Sequence, residues 1–326
     1  MLAAIAAVSL LLTAADRSAG AAEPATAHPS FAVVIRAAAP PRYLQLPVGS
    51  VCGPVVDPAP SGVSESDFLR AARGADASRI VLLLEGYATS LRRGGATARR
   101  VALALGAQDL VVTVDWGSSG HRAGYLRDRR AAKRNAAALA QFIARLRDDV
   151  GSKEIDVFAY SLGALAALDA LSGSDATAPP AVDRVVLGAP DVALAEYQGL
   201  LRKNRLRAQH LTVYVSGHDR ALLLSSLLTL RSRLGRALAW RSAMTRTDVV
   251  DAGRARHGVT GHDYAVEDWA LLGDMAATLH GAAAPHADWM PSQQYASVWS
   301  YVPQRAPAST PPCSSRHPVG AEGSGR

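Results

Sequence analysis

DVFAYSLGALAALDAL, residues 156–171, decides how this chain is read. An apolar β-rich run, IDVF, leads into Ser161, and an alanine- and leucine-rich helical run, ALAALDAL, follows it. A serine between a buried strand and a helix has two readings. It can cap the helix with its hydroxyl, or it can ride a tight, strained turn that lifts the hydroxyl above the sheet edge as a nucleophile. The pentapeptide AYSLG, Ala159–Gly163, has the small-x-Ser-x-Gly form that such a turn needs. Small residues at both ends let the turn close, and the helix N-terminus aims free N–H groups and its positive dipole end at the reaction centre.

Working outward, the chain alternates. RIVLLLE (79–85), DLVVTVD (109–115), EIDVFAY (154–160), DRVVLGA (183–189) and LTVYVS (211–216) are short runs whose continuous apolar character suits strands buried on both faces. RTDVVDA (246–252) is a weaker sixth, and FAVVIRA (31–37) reads as a first edge strand. Between them lie helical patterns. In residues 126–146, Ala131, Asn135, Ala138, Leu139, Phe142, Ile143 and Leu146 share one face, away from most arginines. Strand–helix alternation predicts an α/β fold, a doubly wound, mostly parallel sheet with helices on both faces. The Pro-, Gly- and Val-rich stretch 40–62 reads as irregular. The expected organisation is a signal segment (1–22), an N-terminal linker and edge segment (23–62), a catalytic domain (63–282) and a Pro/Ala/Ser-rich disordered tail (283–326). Trp289, Tyr295, Trp299 and Tyr301 are docking points within that tail.

A serine nucleophile needs a base, and the base needs an orienting carboxylate. On a doubly wound sheet these come from loops at the carboxyl ends of later strands. Asp219 falls just past LTVYVS, and His262 lies beyond the last strand at the start of a helical run, HDYAVEDWALLGDM. Asp191, in GAPDVA, is the alternative acid, and His257, in a Gly-flanked loop, the alternative base. The oxyanion formed on attack needs preorganised donors. The backbone N–H of Leu162 is one, and the N–H of Tyr87, after Gly86 in LLLEGYATS, is the other. That segment also reads as an ordinary strand-to-helix loop with Thr89 or Ser90 capping the next helix. No cofactor and no metal is called for.

EGYATS, WGSSG with YLRDRRAA behind it, AYSLG, APDV, YVSGHDRALLLS and GHDY follow one another in order between about Arg79 and His280. On these motifs the chain resembles the α/β-hydrolases, in particular a bacterial esterase/lipase superfamily group of unknown function. The resemblance implies the order Ser, acid, His, with Ser161 as nucleophile, Asp219 as acid and His262 as base. It implies an α/β-hydrolase sheet without a large lid domain, since no long insertion follows VVLGA. Two positions depart from the pattern: Glu85 stands where the group usually has His, and Ala88 where it has Asn. A carboxylate beside the oxyanion loop opposes catalysis unless it is neutral or paired, for example with Arg92 or Arg93. The expected function is a serine hydrolase cleaving an ester, thioester or amide. The alternatives are a decayed hydrolase-fold binding protein and an acyltransferase using the same residues.

Composition narrows the partners. The chain carries 35 Lys and Arg against 28 Asp and Glu, a net charge of +7, and its only lysines are Lys133, Lys153 and Lys203. Basic runs such as YLRDRRAAKR lack interleaved aromatics and read as solvated helix faces rather than a nucleic-acid footprint. A small-molecule acyl substrate is the expected partner, with weak association with anionic envelope surfaces. The apolar block Leu2–Ala15, followed by Ala19-Gly20-Ala21, fits a secretory signal with a small-x-small cleavage site, although no Lys or Arg precedes it. Export is therefore expected. In that setting Cys52 and Cys313 form one disulfide or stay as two thiols.

Overall fold

The computed structural model describes residues 30–46, 60–74, 77–89, 91–106, 109–173, 179–236, 247–256, 258–293 and 298–303. The signal segment, both cysteines, His257, Tyr295 and everything after Pro303 lie outside the described residues.

Six strands whose sequences are nearly all apolar form the centre: β1 (Ser30–Arg36), β4 (Arg79–Leu84), β5 (Asp109–Asp115), β6 (Glu154–Tyr160), β7 (Val182–Gly188) and β8 (Ala208–Val215). Two further strands, β2 (Ala39–Leu46) and β3 (Ser61–Val63), precede β4, and β9 (Thr247–Asp251), β10 (Trp289–Pro291) and β11 (Trp299–Tyr301) come late. Among the described residues they make one eleven-stranded sheet in the order β10-β11-β9-β8-β7-β6-β4-β5-β1-β2-β3. From β11 through β1 every pairing is parallel; the β1–β2, β2–β3 and β10–β11 pairings are antiparallel.

All six residues of β4 are buried, and they alternate between two cores. Ile80, Leu82 and Leu84 meet the core built with α1 (Glu65–Gly74), α3 (Tyr125–Val150) and α4 (Gly163–Leu171). Val81 and Leu83 meet the core built with α2 (Leu91–Leu105), α7 (Tyr264–Glu267) and α8 (Trp269–Leu279). Helices therefore cover both faces of the parallel sheet, as its two-sided hydrophobicity requires. Two helices remain, α5 (Leu194–Arg202) and α6 (Arg220–Thr229), which follow β7 and β8.

The structure differs from the sequence reading at both ends of the sheet. Residues 31–37 do not form an edge: β1 lies between β5 and β2, and Ala32, Val33 and Ile35 are fully buried. The start of the stretch read as irregular belongs to strand β2 and its end to β3. The prolines of β2 misled the reading, because Pro40 and Pro41 sit opposite Ile35 where the register shifts, the kind of bulge at which a strand tolerates residues without an N–H. The segment after residue 282, read as a disordered tail, returns to the sheet as β10 and β11, burying Trp289 and Tyr301.

Candidate active site

The carboxyl ends of β6, β8 and β9 bring three predicted residues together. Ser161 follows β6 with φ of 54°, a left-handed conformation uncommon for any residue but glycine. Neighbouring main chain holds that strain: the Ser161 N–H donates to Gly188 O (3.0 Å), and Ser161 O accepts from the N–H of Asp191 (2.9 Å) and of Ala164 (3.2 Å). Gly163 explains the last position of the pentapeptide. A Cβ there would collide with the carbonyl oxygens of Leu84 and Glu85, so only glycine lets α4 start tight against the end of β4. Ser161 uses its hydroxyl outward rather than as a helix cap, and α4 has no side-chain cap bond at its start.

His262 Nε2 lies 2.8 Å from Ser161 Oγ, and His262 Nδ1 lies 2.7 Å from Asp219 Oδ2. With the carboxylate accepting at Nδ1–H, the other ring nitrogen is left as an acceptor facing the serine hydroxyl. Asp219 is fully buried, and its second oxygen, Oδ1, accepts the Leu222 N–H at 2.8 Å as the cap of α6. The alternative acid, Asp191, is engaged elsewhere: Oδ1 accepts from the Ser225 hydroxyl (2.6 Å) and forms an ion pair with the Arg233 guanidinium at 3.2 Å. His262 does not open one continuous helix as its sequence suggested. Two short helices follow, α7 and α8, broken at Asp268, whose carboxylate caps α8 through the N–H groups of Ala270 and Leu271.

Beside the serine runs the loop after β4. A Cβ on Gly86 would stand 3.1 Å from Ser161 Cβ, so the loop passes directly against the nucleophile turn. Among the described residues no protein acceptor takes the N–H of Leu162 or of Tyr87, the two predicted oxyanion donors. Ala88 has φ of 58°, which gives the departure from Asn a physical meaning, since Asn tolerates this region better than Ala. Glu85 is buried, and burial pushes its carboxyl up to about 7 against a partly offsetting hydrogen bond from Thr97 on α2. Among the described residues its Oε1 has no partner, and Glu85 lines a small pocket with Thr113, Asp115, Trp116 and Ser118. The arginine partners proposed for it, Arg92 and Arg93, have side chains outside the described set.

The sequence reading passed over three residues that shape this site. Tyr160, a spacer in AYSLG, donates its hydroxyl to His262 O (3.2 Å) and lays its ring 5.2 Å from the imidazole. The Trp116 indole donates to Glu85 O (2.8 Å) and so braces the loop after β4. Asp128, fully buried in the first turn of α3, accepts from the Ser118 hydroxyl and the Ser119 N–H, both at 3.0 Å. WGSSG and YLRDRR carried the last two as motif letters, but only the fold gives them a partner.

Residues 62–264 match the family model of alpha/beta hydrolases of unknown function, DUF900. The chain belongs to this family. Comparison with curated proteins finds no match. Among solved structures, this alpha/beta hydrolase is similar to the siderophore hydrolase EstB from Aspergillus nidulans, at 15% identity and a TM-score of 0.41, covering 79% of this chain and 96% of that one. It is also similar to a hyperthermophilic esterase from the archaeon Pyrobaculum calidifontis, at 18% identity and a TM-score of 0.40, covering 74% and 81%. A Trichoderma reesei cutinase in complex with a phosphonate inhibitor is a third, at 12% identity and a TM-score of 0.33, covering 64% and 78%. Membership of the family supports hydrolase chemistry in general terms.

Proposed function

We propose that this alpha/beta hydrolase is a serine hydrolase of carboxylesterase type, cleaving an acyl ester, thioester or amide through a covalent acyl-serine. The observation that carries the reading is the unbroken chain of contacts from Asp219 Oδ2 through the two ring nitrogens of His262 to Ser161 Oγ, at 2.7 and 2.8 Å. Ser161 Oγ attacks the acyl carbon while His262 Nε2 takes its proton, and Asp219 stabilises the imidazolium that forms. The N–H groups of Leu162 and Tyr87 receive the oxyanion, a role for which their lack of a protein acceptor leaves them free. Collapse of the tetrahedral intermediate breaks the bond to the leaving group, which takes the proton back from His262. Water activated by the same imidazole then releases the acid. A fluorophosphonate probe checks this: the wild type is expected to be labelled and Ser161→Ala spared. Equal labelling of the variant would remove Ser161 from the mechanism.

A further inference from the structure

Helix α6 is built inside out. Its inward face carries Leu222, Ser225 and Thr229, and the hydroxyls there are engaged: Ser225 donates to Asp191, and Thr229 donates to Ser225 O at 2.8 Å. Arg233 also donates to Ser225 O, at 3.2 Å. The leucines point the other way. Leu223, Leu224, Leu227 and Leu228 are 43 to 64% exposed, and at about 100° per residue they fall with Arg220 on one continuous arc. An ordinary surface helix buries its leucines and exposes its hydroxyls.

The apolar surface continues beyond the helix. Leu230, at its left-handed end, is 90% exposed. Leu126 is exposed in the first turn of α3, beside Tyr125, whose hydroxyl meets Ser225 Oγ at 2.7 Å. Val259 is exposed in the loop that leads to His262, tied to α6 by the Arg220 N–H donating to Thr260 O at 2.9 Å. Seven of the eight large apolar side chains exposed among the described residues thus lie on or next to the helix that Asp219 caps. A patch of this kind on a soluble surface marks a contact.

Charge decides the occupant. Arg220 and Arg231 stand exposed at the two ends of α6, and Arg254 and Arg256 are exposed in the His262 loop. None of these four is ion-paired among the described residues. The helix itself carries no acid, and the acid of the loop, Asp263, is occupied by the Gly258 N–H at 2.6 Å. A second copy docking face to face would set arginine against arginine, since such an interface is self-complementary. We propose that this face docks on an anionic lipid surface, with the leucines among the acyl chains and the arginines at the phosphates, and so presents membrane-borne acyl groups to Ser161. The contact is peripheral, an apolar helix face lying in the interface, and no helix among the described residues is long and apolar enough to cross a membrane. Presentation of a substrate rests on the serine-hydrolase reading; docking does not.

The test sediments the full chain carrying Ser161→Ala, which removes turnover, with vesicles of phosphatidylcholine alone or mixed in equal parts with phosphatidylglycerol. The protein is expected to pellet with the mixed vesicles. Leu227→Gln/Leu228→Gln, checked for folding by circular dichroism, is expected to weaken the binding by at least about tenfold. Arg220→Gln/Arg231→Gln is expected to weaken it by about fivefold per arginine and to leave the weak binding to phosphatidylcholine unchanged. Should the leucine pair fail to fold, the arginine pair decides alone. Absence from the pellet overturns the proposal. So does undiminished binding by a folded variant, or a wild-type dimer that the leucine variant turns into a monomer while vesicles stay bare. Phosphonate labelling of the wild type in solution reads the other claim separately, so that docking without labelling sinks the hydrolase chemistry and labelling without docking sinks the lipid surface.

Discussion

Asp219 holds two posts with two oxygens, one on the imidazole and one on the start of α6. Substitution separates them. Asp219→Asn keeps a good helix cap but presents an amide to Nδ1, so hydrolysis of a short soluble acyl ester is expected to fall by about 10⁴-fold, as loss of the orienting acid does elsewhere, with the melting temperature nearly unchanged. Asp219→Ala is expected to lose activity and also about 1 kcal/mol of stability. If the Asn variant hydrolyses the ester at the wild-type rate, Asp219 is a cap and nothing more. Glu85 yields a pH prediction. Its folded-state carboxyl titrates at about 7, above its ordinary 4.5, so the folded protein binds the extra proton across that window and stability falls as the pH rises through it. Glu85→Gln removes the titration. Its melting temperature relative to wild type is therefore expected to climb between pH 5 and pH 8, and a constant difference would show that Glu85 ionises without cost. The proton also bears on the oxyanion role proposed for this loop: below about pH 7 the Glu85 carboxyl is mostly neutral, and above it mostly ionised.

Elements were legible to different degrees. The five apolar runs from Arg79 to Ser216 could be read because a strand buried on both faces is almost continuously apolar. Ser161 and Asp219 were legible as candidates for a related reason, since each follows such a run closely; His262, well beyond the weaker run at β9, was picked out by its order after them. β1 was legible as a strand but not as an inner one, and β2 and the pair β10–β11 were not legible. The prolines of β2 look like loop signals when the bulge that accommodates them is unseen, and β10 and β11, at three residues each, are too short to show a pattern. Trp289 shows how firmly the late pair is held. Its indole donates to both oxygens of Asp274, at 3.0 and 3.1 Å, and His286 Nδ1 and the Tyr214 hydroxyl meet the same carboxylate at 2.7 and 2.6 Å. A buried carboxylate with this many partners depends on each of them. Trp289→Ala is expected to cost about 3–5 kcal/mol, read as a lower urea midpoint. A midpoint equal to wild type would make β10 and β11 an ornament of the sheet.

Across the whole molecule the site occupies one edge of the parallel sheet because every central strand runs the same way and delivers its following loop to the same side. No side chain of the triad is near another in sequence; the shared direction of β6, β8 and β9 is what gathers them. Which loops come to surround Ser161 was illegible for the same reason: their meeting depends on sheet order, which no single run reports. The outermost strands have a consequence of their own. Among the described residues β3 and β10 are three residues each, and β10 ends in Pro291, so each outermost strand itself presents little open backbone to a passing chain.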